Sequence, residues 1–342
     1  MAAHFLLSSR ARTLTLASVM RMSDDEVEQV FIRLRWANNK GEPHCPHCDC
    51  TIVWVCRRPG RAPRWRCKAC QRDFSVTSGT LFAFHKMPLR AYLLAIAIFC
   101  NEVKGKSMLA MSRDLGVQYK TSFVLAHKIR EAMASEVRHT AVGGDGKRAE
   151  IDGGYFGGYV KPANRRENRR DRRLRQYQSG KRKVVVVIRE RDGRTLPGIF
   201  HSEVEALTFI RRQVPWGTEL YADEASAWNA LHARYMLHRV NHEEAYSLGG
   251  EHEINTNAAE SFFSRMRRGE FGHHHHIAGP YLIRFAQEAA WREDHRKDPN
   301  GFQVDRVVTL ALRNKPSVDF CGYWQRTSAS GALNAPPASP LS

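Results

Sequence analysis

Four cysteines in two tight pairs constrain this 342-residue chain more than any other feature. Cys45-Pro-His-Cys48 and Cys67-Lys-Ala-Cys70 are separated by 18 residues, the spacing of a zinc ribbon. The chain holds eight cysteines in all, and without a secretory segment they argue for reduced thiols and not for a disulfide framework. Cys45, Cys48, Cys67 and Cys70 are expected to hold one structural Zn²⁺, since four thiolates close the shell and leave no position for water. Cys50 and Cys56 could replace one of the four, and Cys100 and Cys321 are read as structural thiols.

The charge balance names the partner class. The 53 Lys and Arg against 35 Asp and Glu leave +18 and a pI near 9.9, which points to a polyanion. Nucleic acid is the first candidate and an anionic membrane the second. A span needs about 20 apolar residues, and the longest apolar stretch, Ala91 to Cys100, is half that length. The apolar N-terminal segments are interrupted by Arg10 and Arg12, and no credible cleavage site follows, so a cytoplasmic protein is expected.

Residues 1–20 read as a loose extension. Ser23-Asp-Asp-Glu26 has the capping-box form, and Val27, Val30, Phe31 and Leu34 continue it at helical spacing. From Pro88 to about Ser135 the pattern is helical, broken at Lys104-Gly105-Lys106 and at Leu115-Gly116-Val117. The segments Ser107 to Asp114 and Lys120 to Met133, with Leu109, Leu115, Val117, Phe123 and Ile129 as the apolar set, read as a helix-turn-helix or as a small helical connector. Its Lys104, Lys106, Arg113, Lys120, Lys128 and Arg130 favour DNA. Beyond Gly143-Gly144-Asp145-Gly146 come strands Ala149 to Val160, Lys183 to Glu190 and Arg194 to Phe200, a meander. Helix Glu203 to Gln213, strand Glu219 to Ala222, helix Glu224 to Arg234, strand Met236 to Val240 and a helix from Asn257 to Arg268 follow. Three strands and then alternating helix and strand is the order of an RNase H-like α/β domain. The domains expected are an extension with a short helix at 1–40, the ribbon at 41–80, the helical region at 81–142, a mixed-sheet catalytic domain at 143–300, and a C-terminal extension at 301–342. The Ser-, Ala- and Pro-rich end from Thr327 is read as disordered.

Three carboxylates then stand out. Asp152 lies inside a strand, Glu150-Ile-Asp-Gly-Gly-Tyr-Phe-Gly157, where an apolar run would not normally place a charge. Asp223 ends the strand Leu220-Tyr-Ala-Asp223, and ligands collect at the carboxyl ends of such strands. Glu260 lies on a late helix, Asn257-Ala-Ala-Glu-Ser-Phe-Phe-Ser-Arg-Met-Arg267, two turns before Arg267 on the same face. Separated by 71 and 37 positions, the three suit one acidic cluster that could hold Mg²⁺ or Mn²⁺ for phosphoryl transfer on a nucleic acid backbone.

The paired cysteine knuckles, the helix-turn-helix, the Glu-Ile-Asp-Gly-Gly-Tyr-Phe-Gly-Gly strand and Asn-Thr-Asn-x-x-Glu-x-Phe followed by Arg-Arg-Gly resemble the zinc-ribbon-bearing branch of bacterial DDE insertion-sequence transposases. The likeness covers roughly residues 20–297. It implies an RNase H-like fold, two divalent metals, cleavage at the element's terminal inverted repeats, strand transfer by the freed 3′-hydroxyl into target DNA, and a homo-oligomer assembled on DNA. It makes Asp152, Asp223 and Glu260 the triad and puts Arg267 in the place of a basic residue, often Lys, after the Glu; Arg keeps the charge but not Lys geometry. Some relatives use an Asn in the third position, so Asn257, one turn before Glu260, stays as an alternative.

The stretch Lys161 to Lys183 carries eleven Lys or Arg against Glu167 and Asp171. It is either a solvated loop or a phosphate grip, and the one-sided charge favours the grip, with Arg165, Arg166, Arg169, Arg170, Arg172 and Arg173 joining Lys120 as DNA contacts. His273 to His276 is read as a loop touching DNA near the cluster, Tyr155 and Phe156 as packing residues, and Glu293 as an ion-pair residue. Two other functions fit the same residues: a catalytically silent DNA-binding regulator, and a nuclease that cuts without joining.

Overall fold

The structure, a computed structural model, describes residues 5–56, 64–157, 163–170, 182–240, 255–274, 277 and 279–321. These divide into two compact units, residues 5–135 with 295–321, and residues 136–294.

The first unit is helical around a small ribbon. Helix α1 (Leu16–Arg21) opens on a reciprocal cap between Thr15 and Ser18, and α2 (Asp24–Arg35) on the Ser23–Glu26 capping box read from the sequence. The ten-residue apolar stretch lies inside α3 (Leu89–Asn101), nine of whose residues are buried. Helices α4 (Met108–Asp114) and α5 (Tyr119–Val137) follow a Ser107 cap, and the Ser122 hydroxyl donates to Met108 O at 2.8 Å to fix their turn. The ribbon strands β1 (Val53–Cys56), β2 (Arg64–Cys67) and β3 (Asp73–Phe74) pair antiparallel in that order. Trp36, Trp65 and Phe74 pack together beneath them.

Several expectations change here. Residues 13–21 are not a loose extension: besides α1, Thr13 N and Leu14 N donate to the Asn300 side chain at 2.9 and 3.0 Å. Nor is the segment from 301 an appendage, because α9 (Asn300–Arg313) packs on α2 and α3 and buries Val304, Val307, Val308 and Ala311. The residues from Thr327 lie outside those described. Leu109 is 51% exposed, since α4 turns Met108 and Met111 inward instead. Arg130 is fully buried over the Phe99 ring and so faces no partner, and Lys106 is paired with Glu102 and Asp114.

The second unit is a five-stranded mixed sheet in the order β6-β5-β4-β7-β8, the RNase H-like order expected. β4 (Arg148–Phe156), β5 (Lys183–Glu190) and β6 (Thr195–Phe200) form the antiparallel meander, while β7 (Glu219–Asp223) runs parallel to β4 and β8 (Met236–Val240) parallel to β7. Val184 to Ile188 of β5 are all fully buried, as a strand covered on both faces requires. Helices α6 (Ala206–Gln213), α7 (Asn257–Gly269) and α8 (Leu282–Asp294) complete it. The helix expected over 224–234 is a 3-10 turn, Ser226–Leu231, because buried Trp228 is pulled back to Asp223, to which its indole N–H donates at 2.8 Å.

Helix α7 sits against β4 because β4 offers a glycine there. A Cβ on Gly154 would lie 2.5 Å from the Phe263 ring of α7. Gly154→Ala is therefore expected to destabilise the unit by about 1–3 kcal/mol, read as a lower urea midpoint. Gly272→Ala, where an added Cβ meets nothing within 4 Å, should leave the midpoint unchanged.

Candidate active site and zinc centre

The four knuckle cysteines converge. Their sulfurs all lie within 4.8 Å of one another, with Cys45–Cys70 at 3.6 Å and Cys48–Cys67 at 3.5 Å. Thiolates about 2.3 Å from a tetrahedral zinc stand roughly 3.8 Å apart, so this shell fits the ion. Backbone N–H groups of His47 and Cys70 point at the Cys45 and Cys67 sulfurs at 3.5 Å, which suits thiolate charge. Cys50 and Cys56 turn instead to the carbonyls of Ile52 and Trp54. Among the described residues, no other group of three or more metal-ligating side chains is gathered this closely.

The carboxylates form a looser cluster in the second unit. The β4–β7 register pairs Ile151 with Ala222, so one step further Asp152 and Asp223 stand side by side where β7 ends. Asp152 Oδ1 accepts from Gly153 N at 2.7 Å, and Asp223 Oδ1 accepts from the Trp228 indole. Burial pushes Asp152 up to about 7; the Gly153 hydrogen bond opposes the rise, and the negative charges of Asp223, Glu260 and Glu203 add to it. Burial raises Glu203 as well, again with Asp223 contributing. Glu203 was not singled out in the sequence. It precedes α6, and only its proximity to Gly153 in space, where a Cβ would sit 2.7 Å from its Oε1, reveals it. No described cation pairs with Asp152, Asp223 or Glu203.

Glu260 arrives on the first turn of α7, half-buried, with Oε1 accepting from the Thr256 hydroxyl at 3.3 Å. Asn257 begins that helix and is exposed. Arg267 is exposed too, its guanidinium 5.3 Å from the centre of the Phe156 ring. Phe156 is buried, whereas Tyr155 is open to solvent with Arg182 over its ring, so the two are not both packing residues. Glu293 is an ion-pair residue, held by Arg189 at 2.7 Å and by Arg265 of α7. The residue beneath Asp152 on the same face of β4, Glu150, is 1% exposed and accepts from the first amides of α7.

Of the basic stretch, Arg165, Arg166, Arg169 and Arg170 are exposed around a short turn, while Arg172 and Arg173 lie outside the described residues. Lys120 is exposed at the start of α5. His273 and His274 end a π-type turn, Glu270–His274, with the His274 ring against Phe285; His275 and His276 are not among the described residues.

Residues 144–294, which span nearly all of the second unit, match the family described as ISXO2-like transposase domain, and residues 22–73 match the transposase zinc-ribbon domain. The chain is a zinc-ribbon-bearing insertion-sequence transposase. A protein of Halobacterium salinarum described as "Uncharacterized protein in transposable element ISH50" is 23% identical over 300 residues, which cover 85% of this chain and 98% of that protein. No solved structure matches the transposase. No helix among its described residues is long and apolar enough to cross a membrane.

The raised Asp152 carboxyl makes the stability of the metal-free transposase depend on pH. Between about 4 and 7 the folded state holds a proton there that the unfolded chain releases, so stability falls as pH rises through that window. Asp152→Asn removes the cost and should gain on the natural protein by at most roughly 4 kcal/mol between pH 4 and 8. Thermal unfolding across this range checks it: the two curves should diverge with rising pH.

Proposed function

We propose that this transposase binds the terminal inverted repeats of its own element and cuts and joins DNA there, with Asp152, Asp223 and Glu260 holding catalytic Mg²⁺ or Mn²⁺. The observation that supports the proposal is the register that sets Asp152 beside Asp223 with the charge of Glu260 acting on Asp152, and no described cation to neutralise Asp152 or Asp223. The donor set contains only carboxylate oxygens, which suits hard cations and not zinc or copper. Bound there, two such ions would activate the attacking oxygen and stabilise the leaving one in an in-line phosphoryl transfer.

The chain's own side chains supply the rest. Asp223 is held by Trp228 and Asp152 by the Gly153 amide, each through one oxygen, which leaves the other oxygen of each as the proposed metal donor. Arg267, fixed over Phe156, places a positive charge two helical turns from Glu260, in position to take a DNA phosphate. Arg165, Arg166, Arg169, Arg170 and Lys120 add exposed charge for the backbone, with Arg172 and Arg173 continuing the same run. The zinc ribbon and the α4–α5 pair serve DNA recognition, and copies of the chain assemble on the paired ends.

Asp152→Ala and Asp223→Ala are expected to keep binding an element end while cleavage falls by orders of magnitude. Glu260→Ala should behave alike, whereas Asn257→Ala should stay active, because Asn257 is exposed and Glu260 contributes charge to the cluster. Labelled-end cleavage and joining at several Mn²⁺ concentrations measures all four. Full cleavage by Asp152→Ala would refute the proposal, and cleavage without joined products would make the enzyme a nuclease.

A further inference from the structure

We propose that the buried ion pair Glu150–Arg191 positions the reaction centre by tying together, at one point, the three elements that carry its carboxylates. The inference rests on the reading of Asp152, Asp223 and Glu260 as that centre. The pair touches residues within two positions of each: Glu150 itself precedes Asp152 on β4, Tyr221 precedes Asp223 on β7, and Ala258 and Ala259 precede Glu260 on α7.

The contacts are specific. A helix leaves its first N–H groups without intrahelical partners, and an N-cap side chain ordinarily accepts from the second or third of them. In α7 the N-cap residue Thr256 makes no such bond. Glu150 does so from another strand: its Oε2 accepts from Ala258 N at 2.8 Å and from Ala259 N at 3.0 Å. Asn257 N donates to Asn255 Oδ1 and Glu260 N to Thr256 O, so every amide of the first turn is placed. The other oxygen of Glu150 accepts from Arg191 Nε at 2.9 Å. Arg191 then reaches Asn255 O at 2.7 Å through Nη2, and its guanidinium lies 4.0 Å over the ring of Tyr221.

The geometry sets the whole group one step below the reaction centre. Glu150 and Tyr221 are register partners on adjacent parallel strands, and side chains two residues apart share a face, so Asp152 and Asp223 stand directly above them. A carboxylate this buried needs a counter-charge, and an apolar pair of the same volume would hold a core at least as well. What the ion pair adds is a fixed height and rotation of α7 against β4 and β7. Glu150 and Arg191 are positioning residues, and a displacement of Glu260 by about 1 Å is enough to cost roughly a hundredfold in rate.

The test uses the full chain carrying Glu150→Gln with Arg191→Met, which removes both charges together and strands neither. Hydrogen exchange of residues 258–260 is followed by mass spectrometry, Mn²⁺ binding without DNA by electron paramagnetic resonance, and folding by thermal unfolding. With the thermal midpoint near that of the natural chain, exchange at 258–260 should quicken and the Mn²⁺ midpoint rise by about tenfold each. Arg191→Lys, which keeps the charge but loses the stacked fork, is the second variant should the first not fold, with the same direction expected. Natural exchange at 258–260 and a natural Mn²⁺ midpoint in a folded variant would overturn the proposal. Asp152→Asn runs in parallel: unchanged Mn²⁺ binding there would overturn the reaction-centre reading, while the exchange rate judges the tie separately.

Discussion

The second unit depends on a strand, β4, that carries two carboxylates on one face, Glu150 fully buried and Asp152 two residues on at the edge of the buried run. Glu150 is neutralised inside the protein, by Arg191 and by the amides that open α7. Asp152, two residues on, has only its neighbouring amide and faces further negative charge. Such a contrast along a single strand sets a neutralised charge beside an uncompensated one. Nothing in the apolar packing of β5 or the sheet order requires Asp152, and this uncompensated burial is what supports its proposed role as a metal ligand.

Placing Glu260 is the harder task, because it lies 108 residues from Asp152 in the chain. The fold does this by clamping α7 along its length. Glu150 holds its first turn, Gly154 lets Phe263 approach the strand closely, and Glu293 of α8 grips Arg265 further along. The first unit solves a different problem. Its ribbon strands run four, four and two residues, too few for a large core, so the small Trp36–Trp65–Phe74 cluster is supplemented by the gathered thiolates of a zinc site.

Local signals were the legible ones. The CxxC spacing, the capping box at Ser23, the Val-rich β5 and the positions of Asp152, Asp223 and Glu260 could all be read because each is written in neighbouring residues. Partnerships across the chain could not. The docking of α9 with the first helices, the burial of Arg130 over Phe99, the 3-10 turn imposed by Trp228, the approach of Glu203 to Gly153 and the capping of α7 by Glu150 join segments far apart in sequence. Leu109 shows the limit of periodicity itself: a shift of one residue along α4 exchanges the buried face for the exposed one.

The central claim, a divalent cation held between β4, β7 and α7, is tested most directly by exchanging Fe²⁺ into the transposase and letting ascorbate and peroxide generate radicals at the bound ion. The account predicts backbone cuts confined to the neighbourhoods of residues 152, 223 and 260, suppressed by excess Mg²⁺. Cuts absent from all three, in protein whose folding and zinc content are intact, would contradict it.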